Sequence, residues 1–192
     1  MKYINLYIAF FIALLSSCSA SKFISENEYL LDKVELKSTA KGFDAAVLGP
    51  YIKQKANSKW FSIFKIPLAT YSLAGKDTAK WINRTLRNIG EEPVIYDVNQ
   101  AHQSQSDLLA AMHNMGYMHA SVQLDTRTKG KKITAAYTIT PGQAYFIDNV
   151  HYIIDDDSIA NLLKIEQPNS KFHIAKGTKF SVDKLDNIRK RI

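Results

Sequence analysis

The strongest constraint on the fold lies in residues 118–140, where apolar and polar side chains alternate twice around a short turn. Met118, Ala120, Val122, Leu124 and Thr126 point one way, and His119, Ser121, Gln123 and Asp125 the other. After Lys129-Gly130-Lys131, Ile133, Ala135, Tyr137 and Ile139 share a face opposite Thr134, Thr138 and Thr140. A period of two is the signature of a strand with one buried face, and a glycine-containing turn between two such runs predicts a hairpin. A hairpin alone is marginal in water, so other elements must cover its apolar face.

Upstream segments supply candidates. Leu31, Val34 and Leu36 mark a strand, with Lys33, Glu35 and Lys37 turned outward. Phe43 to Lys55 reads as a helix with Ala46, Val47, Tyr51 and Ile52 on its apolar side, interrupted by Gly49-Pro50. Residues 56–75 crowd aromatic and aliphatic side chains around Pro67 and Gly75. A helix follows with Asp77 as N-cap, Ile82, Leu86 and Ile89 as its stripe and Gly90 at its end. Another starts at Asp97, carries Ala101, Leu108, Leu109, Met112 and Met115, and stops at Gly116.

Pro141-Gly142 punctuates the chain, and a similar order begins again. Phe146, Val150, Tyr152 and Ile154 suggest a strand, Ile159, Leu162 and Leu163 a short helix, and Ser181 to Leu185 the start of another. The expected fold class is therefore α+β: a three-stranded sheet covered by helices, built as a β-α-α-β-β unit with a helical insert, followed by an incomplete second unit.

The N-terminus sets the compartment. Lys2 precedes an apolar run from Tyr3 to Leu15, and Ser16-Ser17 lead to Cys18, the only cysteine among 192 residues. Charged start, apolar core and small residues make a secretory signal. Leu15-Ser16-Ser17-Cys18 resembles a bacterial lipobox, which implies cleavage before Cys18 and lipidation of its thiol. Rival readings are a transmembrane anchor, for which the run is short, and a plain secretory signal cut near Ala20. With Cys18 lipidated, no thiol remains for a disulfide, a zinc site or a nucleophile. The net charge of +7 suits anionic headgroups better than nucleic acid for an exported chain.

Chemical motifs are missing. Gly75-Lys76-Asp77-Thr78 lacks the upstream glycine of a phosphate loop. The histidines His102, His113, His119, His151 and His173 form no metal-ligand spacing, and Asp155 to Asp157 lack the alternating ligands of a calcium loop. No Gly-x-Ser-x-Gly elbow occurs. No catalytic residue, metal or cofactor is assigned, and the chain is read as a non-enzyme.

The β-α-α-β-β order resembles a polypeptide-transport-associated (POTRA) domain. The likeness is carried by Met115-Gly116-Tyr117-Met118-His119-Ala120-Ser121-Val122 and by Gly177-Thr178-Lys179-Phe180 with Leu185 beyond. With the lipobox, Tyr51 to Lys55, Lys59 to Leu68, Lys80 to Arg84 and Gly90 to Val94, the chain resembles the N-terminal region of lipidated, Bacteroidetes-type BamA/TamA family outer-membrane assembly proteins. On that resemblance the chain divides into a signal peptide (1–17), a tether (18–30), a first POTRA-like domain (31–141, insert about 56–94) and an incomplete second one (142–192). The family continues into further units and a barrel, so the chain is expected to be a fragment or a truncated reading frame.

The resemblance implies a lipid-anchored module at the outer membrane, its POTRA region in the periplasm. It would bind unfolded outer-membrane proteins or assembly partners by accepting their strands, and no nucleic acid. The implied acceptor is the edge Met118, His119, Ala120, Ser121, Val122, Gln123, Leu124 and Asp125, within Met118 to Thr126. Proline at Ser121 or Gln123 is the expected way to block it. The alternative is a POTRA-bearing envelope lipoprotein that scaffolds other proteins without touching clients. In the insert, Trp60, Phe61, Phe64 and Tyr71 either complete the first core or contact a membrane or partner, with Lys53, Lys55, Lys59 and Lys65 beside them.

Overall fold

A computed structural model describes residues 24–58, 66–75, 77–163 and 173–191. Cys18, the expected signal peptide (1–17), Trp60, Phe61 and Phe64 lie outside the described residues, as do Lys59 and Lys65. The fold is α+β. Strand β1 (Leu30–Ser38) is followed by a 3-10 helix (Ala45–Tyr51), α1 (Ile66–Leu73), α2 (Trp81–Ile89), α3 (Val98–Asn114), β2 (Ser121–Lys129), β3 (Lys132–Thr140), α4 (Asp157–Leu163) and α5 (Val182–Arg189). The sheet has the order β1-β3-β2. Leu30 donates its N–H to the Lys131 carbonyl and Thr39 donates to that of Ile139, so β1 and β3 advance in the same direction while β2 returns antiparallel. The sheet is mixed, with β3 central.

The chain groups into two compact units. The first takes the described parts of Met1–Glu35, Lys53–Ala101 and Leu124–Ala136. Its buried set includes Leu30, Leu31, Leu68, Ala74, Ala101, Ile133 and Ala135, and Ile24, Leu30 and Leu68 form a cluster flanked by Ile95. Consecutive strand residues face opposite ways, yet Leu30 and Leu31 are each 1% exposed, so β1 begins covered on both faces. The second unit comprises Leu36–Ile52, His102–Gln123 and the described parts of Tyr137–Ile192. It buries Ala45, Leu48, Ile52, Leu108, Ala111, Met112, Tyr137 and Ile139.

Helix α3 follows its periodicity. Ala101, Ser104, Leu108, Ala111 and Met112 are buried along one stripe, and Asp97 accepts the N–H groups of Asn99 (2.8 Å) and Gln100 (3.2 Å). Those bonds hold the Asp97 carboxyl below its ordinary value, that from Gln100 contributing most. At the other end Tyr117 donates to Met112 and Gly116 to His113, a Schellman closure. Gly116 sits at φ +87°, where a Cβ would also meet the Phe180 carbonyl oxygen at 2.6 Å. The hairpin closes through Gly130 and Lys131, as the alternation predicts.

Four expectations need correction. The helix over Phe43 to Lys55 is a 3-10 helix confined to Ala45–Tyr51. Gly49-Pro50 disfavours the α form; Ala45, Leu48 and Ile52 are buried, Ile52 as expected, while Ala46, Val47 and Tyr51 are exposed. Asp77 does not cap α2. It accepts the Ala79 N–H in a turn, and Lys80 occupies the N-cap position. Gly90 ends α2 at φ −78°, and its role is close approach, since a Cβ there would meet the Tyr71 backbone nitrogen at 2.4 Å. The expected strand through Phe146, Val150, Tyr152 and Ile154 reduces to one antiparallel bridge, Phe146 to Lys179, because no second strand lies beside it among the described residues. The later helices stand at Asp157–Leu163 and from Val182, after Ser181. Pro67 sits in the first turn of α1, where no intrahelical N–H is required.

Candidate functional site

The site begins with the unequal fate of the two sheet edges. On the β1 side, Leu31 donates to the Val94 carbonyl and Tyr96 donates to that of Tyr29, both at 2.8 Å, with Leu30 bridged antiparallel to Ile95. A short rung thus occupies the start of that edge. Two side-chain amides hold the rung. Buried Asn57 donates to the Glu92 carbonyl (2.7 Å) and accepts from the Val94 N–H (3.1 Å). Gln54 donates to the Ile95 carbonyl and accepts the Asp97 N–H, each at 2.9 Å. Each amide offers a donor and an acceptor as a neighbouring strand would. Burial, and then the Asp97 charge, raise the pKa of Tyr96 in this rung.

Strand β2 has β3 on one side and no strand on the other among the described residues. Both hairpin strands are nine residues long, so their register runs without a bulge from the two-residue turn. Lys129 and Lys132 then exchange both backbone bonds, and alternation sends the N–H and C=O groups of Ser121, Gln123, Asp125 and Arg127 toward β3. Val122, Leu124, Thr126 and Thr128 send theirs outward. The Gln105 side chain of α3 supports this parity, since its amide nitrogen donates to the Val122 carbonyl at 2.7 Å. Below that contact, no strand lies beside Leu124, Thr126 and Thr128 on their outward side among the described residues.

The side chains of β2 divide by face. Val122 and Leu124 are half-buried, on the face of Tyr137 and Ile139, while Ser121, Gln123, Asp125 and Arg127 are exposed on the other. Arg127 reaches across β3 to Glu35 at 2.8 Å, and Lys33 meets the other Glu35 oxygen at 2.8 Å. The Arg127–Glu35 pair ties the two outer strands across the central one.

The sequence-predicted edge is brought together only in part. Ser121, Val122, Gln123, Leu124 and Asp125 lie in β2, which runs on to Lys129. Met118, His119 and Ala120 precede it in a turn closed by the Ala120 N–H on the Tyr117 carbonyl, and so are not edge residues. The cause is the Gly116 helix ending, which spends those residues reversing the chain. His119 instead lies 2.7 Å from the Tyr145 hydroxyl. Ser121 and Gln123 point their backbone into the sheet, so proline at either would break the hairpin and not merely block the edge. Tyr71 is half-buried on α1, close to Gly90, with its ring centroid 5.5 Å from the Arg87 guanidinium carbon.

Sequence reasoning missed Gln54, Asn57 and Gln105. No periodicity marks them, because each acts on the backbone of a distant segment. Among the described residues no group of three or more His, Cys, Asp or Glu could hold a metal ion, and no helix is long and apolar enough to cross a membrane. No protein-family model and no curated protein matches the chain.

Proposed function

We propose that this protein is a lipid-anchored POTRA-type module that accepts extended strands of outer-membrane proteins, or of their assembly partners, along β2. The observation that carries this reading is the outer side of β2: Leu124, Thr126 and Thr128 turn donor and acceptor groups outward with no strand beside them among the described residues, whereas Val94–Tyr96 bridges β1 at its start. An unpaired row of this kind is a template for strand addition. Main-chain bonds hold any extended segment, and the half-buried Leu124 adds mild apolar preference. Such binding tolerates many sequences and calls for no covalent step. Arg127 and Lys129 discourage two copies from pairing edge to edge. Cys18 would supply the anchor, and a periplasmic site at the outer membrane follows from the lipobox resemblance.

The test uses proline at an outward position. Thr126→Pro removes one outward N–H and leaves the inward ladder in place, as an edge proline can. With an alternating apolar-polar peptide carrying a photo-cross-linker, capture should be lost while the circular dichroism spectrum persists. Undiminished cross-linking sinks the reading. Accumulation of the uncleaved precursor under globomycin tests the anchor separately.

A further inference from the structure

Helix α2 is turned inside out. Trp81, Ile82 and Ile89 lie within about 100° of one another around the helix axis, and they are 70%, 50% and 69% exposed. Thr85 lies within the same arc, Leu86 at its border is half-buried, and the opposite side carries Asn83 and Arg87, of which Asn83 is buried. The reason is local. Asn83 accepts the Gly75 N–H at 2.8 Å and donates to the Asp77 carbonyl at 2.6 Å, and Arg87 donates to the Gly75 carbonyl at 2.9 Å. These bonds satisfy the loop between α1 and α2 and fix the helix rotation, leaving a large indole and two isoleucines in water.

Charge indicates what covers that face. Neither α1 nor α2 contains a carboxylate. Across residues 59–92, Lys59, Lys65, Lys76, Lys80, Arg84 and Arg87 stand against Asp77, Glu91 and Glu92, and the Glu91 carboxylate is taken up by Ser58. Lys80 and Arg84 are exposed and flank the apolar arc on one side. A short helix with tryptophan and isoleucine on one arc and cations at its border matches an anionic bilayer surface: the ring and aliphatic groups enter the headgroup boundary while the cations meet phosphates. The geometry points to α2 as an in-plane contact with anionic phospholipid, made through Trp81, Ile82 and Ile89 and steered by Lys80 and Arg84. None of these residues belongs to β2, so this contact stands apart from strand capture and can fail without it.

Trp81 reports on itself. In the full chain carrying Trp60→Phe, its fluorescence is measured with vesicles of acyl-brominated phosphatidylglycerol or acyl-brominated phosphatidylcholine. Attachment through the N-terminus would bring the protein to both, but bromine quenches only an indole that enters the acyl boundary. We expect quenching with phosphatidylglycerol, its local binding constant falling roughly fivefold with Arg84→Gln and again with Lys80→Gln. Ile82→Ser with Ile89→Ser should abolish quenching, and the helix should persist by circular dichroism because both positions face water. No quenching with phosphatidylglycerol, equal quenching in the two lipids, or quenching that survives the double serine variant overturns the proposal.

Discussion

The Gln105 amide nitrogen sits 2.7 Å from the Val122 carbonyl oxygen, so a helix side chain occupies the first outward acceptor of β2. An incoming strand would have to displace it or begin at Leu124. Gln105→Ala should therefore lengthen the usable edge by one hydrogen bond, worth about 1 kcal/mol net, or about fivefold in peptide affinity. Titration of a labelled strand-forming peptide checks this. Weaker binding by the variant would mean that Gln105 organises the edge and does not guard it.

Gly116 meets two demands at once, a left-handed backbone and contact with the Phe180 carbonyl. Gly116→Ala should cost at least about 1–2 kcal/mol from the backbone alone. The damage should spread to the Tyr145 N–H, which bonds the Gly116 carbonyl, and to the Phe180 N–H, which bonds that of Tyr145. Urea unfolding reads the first effect and amide exchange at Tyr145 and Phe180 the second.

Asn57 holds the rung that covers the start of β1. In Asn57→Ala, the Glu92 carbonyl and Val94 N–H lose their partner, at about 1–3 kcal/mol for each group that stays buried. The Leu31 and Tyr96 amides should then exchange faster, because their bonds cross the same rung. A variant with native exchange at both would show that β1 keeps its cover without Asn57.

The Asp97 carboxyl is held below its ordinary value chiefly by the Gln100 N–H. A lowered folded value means that the contribution of Asp97 is fully present above the ordinary carboxylate range. It is lost as pH falls through the folded value. The amide shifts of Asn99 and Gln100, followed from about pH 5 to about pH 2, should report fraying of the first turn of α3. Asp97→Asn should remove that acid transition while keeping a cap.

Much of the fold is legible in the chain itself. The hairpin and α3 follow from apolar periods of two and of 3.6, and Asp97 and Gly116 mark the ends of α3 by well-defined backbone chemistry. Periodicity misleads where backbone chemistry overrides it. Gly49-Pro50 converts the first helix to a three-residue turn, and Asn83 and Arg87 rotate α2 so that its apolar arc faces out. The second unit's strand pattern produces only the Phe146 to Lys179 bridge, because alternation describes a face and cannot supply a partner strand.

The candidate site was legible as a strand and not as an edge. Side-chain alternation predicted a half-buried strand from Met118, and the structure begins it at Ser121. How much of each edge is covered was decided by the Val94–Tyr96 rung at the start of β1, by the Asn57 and Gln54 amides that hold it, and by Gln105 at the start of β2. Every residue but proline carries the same backbone donor and acceptor, so no local pattern says which of them finds a partner. Only the arrangement of distant segments in space settles that.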